Sequence, residues 1–166
     1  FDFFLMHAMS ATRFEKYRDA HAFEIALEAK AAGKLRHVGM SFHDSAEVLD
    51  QILTDRPELE FVQLQFNYVD YNDPKVQSRL CYEVCRKHGK PVFVMEPVKG
   101  GTLVNLPQAA LDLLPGGSPA SYAIRYAAGF EDIVMVLSGM SNMEQMEDNI
   151  SYMADFKPLS EEEHAI

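Results

Sequence analysis

The sequence is poor in positive charge, with 15 lysine and arginine residues against 25 aspartate and glutamate residues and a formal net charge of −10. A nucleic-acid partner is therefore not expected, because its phosphates need lysine and arginine opposite them. An anionic small molecule is not excluded, because backbone N–H groups and helix N-termini also bind phosphate.

Long apolar runs are absent as well. The longest apolar stretches have the length of a strand and are interrupted by charges, so none could span a bilayer and no membrane partner is expected. The apolar opening segment lacks the basic lead-in of a secretory signal. We therefore expect a cytoplasmic protein, because free cysteines persist in a reducing compartment.

Cysteine is scarce, and the two that occur lie four residues apart in a predicted helix. Cys81 and Cys85 would share one helix face, which is compatible with half of a metal site. The alternative is two small apolar side chains beside Leu80 and Val84, and this is the interpretation that we favour. No metal site is predicted.

What the sequence does contain is a regular alternation of apolar strands and amphipathic helices over 166 residues, of which 48% are hydrophobic. This length and composition predict a single domain over residues 1–166 with a substantial core. Repeated βα units predict an α/β fold with a parallel sheet. The predicted strands are residues 1–7, 36–41, 61–66, 91–96 and 133–137.

The first predicted strand begins at residue 1, with no initiator methionine and no preceding helix, so we expect the chain to be part of a larger barrel. Between the strands, one helix is predicted over residues 15–32 and ends at Gly33, which can serve as a C-terminal cap. Asp44 is predicted to cap the next helix. Residues 97–118 form the longest irregular stretch, and a loop of that length in a compact domain is usually functional.

Polar side chains or small turns follow the predicted strands. In a closed βα barrel, the chemistry lies at the carboxyl ends of the strands. Each residue also has a structural explanation: a backbone carbonyl could satisfy the histidine, for example. The turn at residues 138–142 could leave backbone N–H groups free for a phosphate. The residues at the strand ends are His7, Ser41, Gln63 with Gln65, Glu96 with Pro97, and Ser138 with Gly139.

Several short motifs occur in a definite order, and jointly they resemble the aldo-keto reductase family over nearly the whole chain. The resemblance implies that the five strands are the fourth to eighth of a (β/α)₈ barrel whose first three βα units are missing. The motifs are Phe4-Leu5-Met6-His7, Gly33-Lys34-Leu35-Arg36-His37-Val38-Gly39-Met40-Ser41, Gln63-Leu64-Gln65-Phe66-Asn67, Glu96-Pro97-Val98-Lys99-Gly100-Gly101, and Leu137-Ser138-Gly139 followed by Gln145 and Asn149.

The resemblance also implies an activity, the reduction of aldehydes or ketones with NADPH or, less often, NADH. His7 matches the histidine that orients the substrate carbonyl in the family. The family's catalytic Asp, Tyr and Lys belong to the missing units, so the isolated chain is expected to be inactive. Most of the nicotinamide-cofactor site is expected to lie within this chain.

The residues that match cofactor-binding positions of the family fall into three groups. Ser41 and Gln63 match positions that hold the nicotinamide carboxamide. The ring and phosphates would be packed or covered by Met95, Glu96, Pro97, Val98, Gly100, Gly101 and Leu103. The adenosine end would be held by Ser138, Gly139, Ser141, Gln145, Asp148 and Asn149.

The sequence departs from the family pattern at three of these places. Phe42 follows Ser41 where an asparagine is common, and Met95 replaces an aromatic residue that stacks on the ring. Gln145 replaces an arginine that often binds the 2′-phosphate of NADP, and glutamine has no charged fork for that purpose. NADP is the expected cofactor, with NAD possible.

Two other functions remain compatible with the sequence: a non-catalytic half-barrel that binds a nucleotide or acts as a scaffold, and an unrelated barrel enzyme using His7 and Glu96. A small carbonyl compound is the expected substrate of the leading hypothesis. A partial barrel would also have two open sheet edges and an uncovered apolar face, which favour self-association. The residues expected on that face are Phe4, Val62, Val94 and Val136.

Overall fold

A computed structural model describes residues 1–166 and contains a five-stranded sheet with helices on one side. The strands are adjacent in chain order and all neighbouring pairs are parallel, which confirms the predicted α/β fold. The strands are β1 (Phe3–Met9), β2 (His37–Phe42), β3 (Val62–Gln65), β4 (Val92–Met95) and β5 (Ile133–Val136).

Helices connect each strand to the next and follow the last one. The long loop after β4 contains a short 3₁₀ turn, Lys99–Gly101, before its first helix. None of the helices is long and apolar enough to cross a membrane. The helices are α1 (Ala11–Asp19), α2 (Ala22–Ala31), α3 (Ala46–Asp55), α4 (Ser78–Lys87), α5 (Gln108–Leu111), α6 (Pro119–Ala128), α7 (Met143–Met153) and α8 (Glu161–His164).

Two helix predictions were wrong in detail. The helix expected over residues 15–32 is divided into α1 and α2, because His21 adopts a left-handed conformation with φ of 53°. The cap of α3 is Ser45, whose side chain accepts a hydrogen bond from the Val48 N–H. Asp44 instead accepts hydrogen bonds from the backbone N–H groups of Ala11 and Ser45, and so joins two loops at the carboxyl end of the sheet.

The main hydrophobic core lies between the sheet and the helices. Every second residue of the central strands enters it, as strand alternation requires. Val62 and Val94, which we expected to be uncovered, are fully buried there, and Val136 packs against its edge. The expectation was wrong by one residue of register, since a shift of one exchanges the two faces of a strand.

The opposite face of the sheet carries the alternate residues and changes character along the strands. Phe3, Phe61 and Phe93 form an aromatic cluster at the amino-terminal end, with Phe61 stacked on Phe93 at 4.5 Å. Ser41 and Gln63 lie further along the same face. This face is therefore apolar at one end and polar at the other.

The sheet has two open edges, because β1 pairs only with β2 and β5 pairs only with β4. Side chains at both edges are exposed. Phe3 and Phe4 on β1 retain 48% and 39% of their accessible surface, and Val134 and Met135 on β5 retain 59% and 38%.

Candidate functional site

A row of contacts crosses the sheet near the carboxyl ends of four strands. The backbone N–H of Ala8 donates to Ser41 Oγ at 2.8 Å, and Ser41 lies opposite Gln63 in the strand register. Gln63 in turn donates through Nε2 to Met95 Sδ at 3.4 Å. The structure thus brings together three of the residues predicted to lie around a nicotinamide ring.

Within this row, the side chain of Gln63 has a polar atom without a hydrogen-bond partner. Its Oε1 atom is buried and has no hydrogen-bond partner. Leaving a buried acceptor unsatisfied costs about 1–3 kcal/mol. In native proteins nearly all such groups have a hydrogen-bond partner. This oxygen could therefore accept a hydrogen bond from a bound molecule, since no group of the chain donates to it.

His7 lies at the same end of the sheet, on β1, and its side chain is exposed. Its backbone carbonyl accepts hydrogen bonds from the Tyr17 hydroxyl at 2.9 Å and from Arg13 Nη1 at 3.4 Å. The following residue, Ala8, has φ of 52°, where the pairing of β1 with β2 is irregular. Partial burial, together with the electrostatic influence of nearby His7 and Arg13, lowers the pKa of neighbouring His43.

An open cavity of about 1040 Å³ lies beside the row, between the loop after β4 and the turn after β5. The amino-terminal ends of α6 and α7 complete its wall. Twelve of the predicted cofactor-binding residues line it: Met95, Glu96, Pro97, Val98, Gly100, Gly101, Ser138, Gly139, Ser141, Gln145, Asp148 and Asn149.

Four of the predicted residues do not line the cavity. Leu103 is buried beneath the loop, with 4% of its surface exposed, so it supports the wall from behind. His7, Ser41 and Gln63 lie along the row. Lining residues that were not among the predicted cofactor-binding positions include Asn105 and Ser118 in the stretch 97–118, Asn142 in the turn after β5, and Glu144 in the first turn of α7.

The loop that lines the cavity after β4 is held in an uncommon backbone conformation. Glu96 and Lys99 have φ of 56° and 49°, and Gly100 and Gly101 have φ of 59° and 90°. Non-glycine residues adopt this left-handed region only where the surrounding structure stabilises it.

The stabilising contacts come from a buried acidic residue after β3, which the sequence did not suggest. Asp70 is 1% exposed and forms an ion pair with Lys99. Its other oxygen accepts from Asn67 at 2.7 Å and Gln65 at 2.8 Å, while Asn67 also donates to the Glu96 carbonyl at 3.0 Å. Burial acts to raise the pKa of Asp70, but hydrogen bonds from Lys99, Gln65 and Asn67 outweigh it and lower the pKa.

In the turn after β5, one of the backbone N–H groups that we expected to be free is occupied. The Ser141 N–H donates to Gln145 Oε1 at 2.7 Å, so that amide is already occupied. Asn149 donates to Ser138 Oγ at 2.8 Å and thereby fixes the start of the turn.

The two cysteines take no part in this site. Cys81 and Cys85 both lie on the buried face of α4, in the core. Burial raises the pKa of Cys81 to about 12 and that of Cys85 further, so neither forms a thiolate at neutral pH. No group of three or more His, Cys, Asp or Glu side chains is arranged to hold a metal ion.

Several solved structures are similar to this chain. Among curated proteins, none matches the sequence significantly. An aldo-keto reductase from Bacillus halodurans in its holo form is 19% identical and superposes with a TM-score of 0.76, over 99% of this chain and 58% of that one. A thermostable aldo-keto reductase in complex with the inhibitor epalrestat is 20% identical, with a TM-score of 0.70 over 99% and 57%.

A third structure, an aldo-keto reductase from a Medee basin deep-sea metagenome library, is 18% identical, with a TM-score of 0.69 over 99% of this chain and 57% of that one. These likenesses show the fold, and the chain spans less than two thirds of each of the three proteins. The sequence itself matches the Aldo/keto reductase family over residues 1–166. The chain therefore belongs to the aldo/keto reductase family.

Proposed function

We propose that this chain is the cofactor-binding part of an NAD(P)H-dependent oxidoreductase that reduces aldehydes or ketones to alcohols. The observation that carries the proposal is the unpartnered Gln63 Oε1, which lies in a row with Ser41 and leads to a cavity of about 1040 Å³. A cavity of this size is at the upper end of the range for small-molecule and cofactor sites.

The row is chemically complementary to a carboxamide, the polar group of a nicotinamide ring. Ser41 Oγ already accepts a hydrogen bond from the Ala8 N–H, which leaves its hydroxyl proton free to donate to an amide oxygen. Gln63 Oε1 can accept from an amide N–H. A bound nicotinamide dinucleotide would supply hydride, and these two side chains would fix the face of the ring from which it leaves.

His7 is proposed to orient the substrate carbonyl. It belongs to the strand next to Ser41, and its backbone is fixed by Tyr17 and Arg13. Its exposed side chain leaves room for a small carbonyl compound.

Proton donation to the carbonyl oxygen is assigned to the Asp, Tyr and Lys of the family, which lie in the part of the barrel that this chain does not span. Tyr17 is no substitute, because its hydroxyl donates to the His7 carbonyl. Loss of a proton-transfer group typically costs on the order of 10²–10⁴ in rate. We therefore expect no aldehyde reduction above background by the chain alone. We place the activity of the complete barrel in the cytoplasm, where the two free thiols remain reduced.

Fluorescence titration of the chain with NADH and NADPH tests the proposal. We expect saturable binding, and we expect Gln63→Leu to weaken it by about tenfold, the effect of one hydrogen bond to a buried polar group. Gln51→Leu is the matched control, because Gln51 is exposed on α3. If neither NADH nor NADPH binds, the proposed function is contradicted. If binding occurs but Gln63→Leu leaves it unchanged, the row of Ser41, Gln63 and Met95 is excluded as the nicotinamide site.

A further inference from the structure

The cavity has an unusual balance of charge for a site that would take an anionic dinucleotide. Glu96, Glu144 and Asp148 line it, and none of its lining residues is lysine, arginine or histidine. The lysine of the loop, Lys99, is directed to Asp70 instead. Any phosphate in this cavity must therefore be held by backbone N–H groups, hydroxyls and amides, and each additional phosphate adds repulsion from three carboxylates.

The amino-terminal end of α7 is the place where an extra phosphate would find donors, but two of the backbone N–H groups there are already engaged and the helix carries no lysine or arginine. Asn142 caps the helix by accepting from the Gln145 N–H at 2.9 Å. Gln145 folds back to accept from the Ser141 N–H at 2.7 Å. Glu144 lies in the first turn, where a carboxylate already compensates the positive end of the helix dipole.

From these contacts we propose that the adenosine end of the site selects the ribose 2′-hydroxyl of NADH over the 2′-phosphate of NADPH. This inference rests on the proposed function and revises the NADP expectation drawn from the family resemblance. A ribose hydroxyl can donate to a carboxylate, whereas a 2′-phosphate would face Glu144 and Asp148 with no cation. The same distinction operates in other dinucleotide sites, where an acidic residue binds the 2′-hydroxyl and arginine accommodates the 2′-phosphate.

Asp148 is suited to this role because a hydrogen bond fixes its side chain while the carboxylate can still accept further hydrogen bonds. One of its carboxylate oxygens, Oδ2, accepts from the Ser118 hydroxyl at 2.6 Å. Ser118 is itself the cap of α6 and accepts from the Ser121 N–H at 3.1 Å. The carboxylate therefore has a defined orientation at the cavity wall.

The test uses two probes of the adenosine end, 5′-AMP and adenosine 2′,5′-bisphosphate, which differ only by the 2′-phosphate. Calorimetry and NMR chemical-shift changes on the full chain report binding without any catalytic activity. We expect 5′-AMP to bind about tenfold more tightly, and NADH to bind more tightly than NADPH by a similar factor. In a site that recognises a 2′-phosphate, the order would be reversed.

Two substitutions sharpen the test. Gln145→Arg supplies a cation and releases the Ser141 N–H, and we expect it to raise affinity for the bisphosphate by about tenfold while changing affinity for 5′-AMP by less than about twofold. Glu144→Gln should act in the same direction through charge alone. Glu147→Gln is the matched control, because it removes one charge from α7 at a residue that does not line the cavity.

The possible outcomes separate this inference from the function on which it rests. Binding of NADPH as tight as or tighter than that of NADH overturns the inference and leaves the proposed function intact. If neither dinucleotide binds, the proposed function fails and this inference fails with it. A response to Gln145→Arg that Glu147→Gln equals would also overturn it, since the effect would then be one of net charge.

Discussion

Gly39 on β2 offers the sharpest test of how the sheet positions the site. It is buried, and the ring and carbonyl of Phe61, the residue before β3, occupy the space that a Cβ atom would need. A Cβ atom added at this position would lie 2.4 Å from the Phe61 carbonyl oxygen and 2.7 Å from two of its ring carbons. Real Cβ atoms do not approach other atoms so closely, so Gly39→Ala must move β2 relative to β3.

The cost of this movement can be estimated from overpacking. Forcing extra atoms into a packed interior typically costs about 1–3 kcal/mol. A loss of about 2 kcal/mol would lower the melting temperature of a chain of this size by roughly 4–8 °C. The displacement also acts on the site, because Ser41 lies two residues further along the same face and is opposite Gln63. We therefore expect weaker nucleotide binding together with lower stability.

Urea unfolding followed by circular dichroism measures the effect. Gly116→Ala is the control, because Gly116 is exposed and an added Cβ there meets no atom within 4 Å. Adding Phe61→Leu to Gly39→Ala should not restore stability, since the closest clash is with the backbone oxygen of Phe61. Wild-type stability of Gly39→Ala would show that Phe61 leaves room for a Cβ atom, and recovery of stability on adding Phe61→Leu would show that the ring, not the backbone oxygen, causes the clash.

Three further predictions concern the loop, the pH dependence and the open edges. Asp70→Asn should increase hydrogen exchange at residues 96–105 while the exposed Asp19→Asn does not; equal protection would show that the ion pair does not hold the loop. Burial would raise the pKa of Glu60, but hydrogen bonds from Lys30, the Val38 N–H and His37 lower it to about 2. The ionised carboxylate therefore adds roughly 1–3 kcal/mol to the free energy of unfolding above pH 4.5, and this stabilisation is lost as the pH falls toward 2. Glu60→Gln should therefore differ from wild type in urea midpoint at pH 6 and much less at pH 2, and a constant difference would contradict this. Light scattering after size exclusion should show a discrete dimer formed through the sheet edges, and a stable monomer would reject self-association.

The elements of the fold could be predicted because their signals are local. Alternating apolar residues bounded by glycine and proline define each strand within a few positions, and Asn142 and Ser160 begin helices as capping residues do. The break between α1 and α2 could not be predicted in this way. Residues 15–32 have a continuous helical composition, and only tertiary packing selects the left-handed conformation of His21.

The candidate site was predictable only where strand ends or family motifs marked it. Asp70 was not, because its importance comes from a contact with Lys99, 29 residues further along the chain. The engagement of the Ser141 N–H is unpredictable for a related reason: the sequence identifies Gln145 as a replacement for an arginine, but it does not indicate that its side chain accepts from a neighbouring amide. Hydrogen-bond partners of polar side chains depend on three-dimensional placement, which neither composition nor spacing specifies.

The unpartnered oxygen of Gln63 links the stability of the sheet to its function. A chain selected only for folding would favour an apolar residue at this position, because an unsatisfied buried acceptor costs about 1–3 kcal/mol. Gln63→Leu should thus leave the chain more stable in urea even as it weakens nucleotide binding, a trade-off that is common where a site needs groups that folding does not. The same comparison separates a binding role from a structural one. If Gln63 served only to support Met95 through their 3.4 Å contact, Gln63→Leu would make the chain less stable.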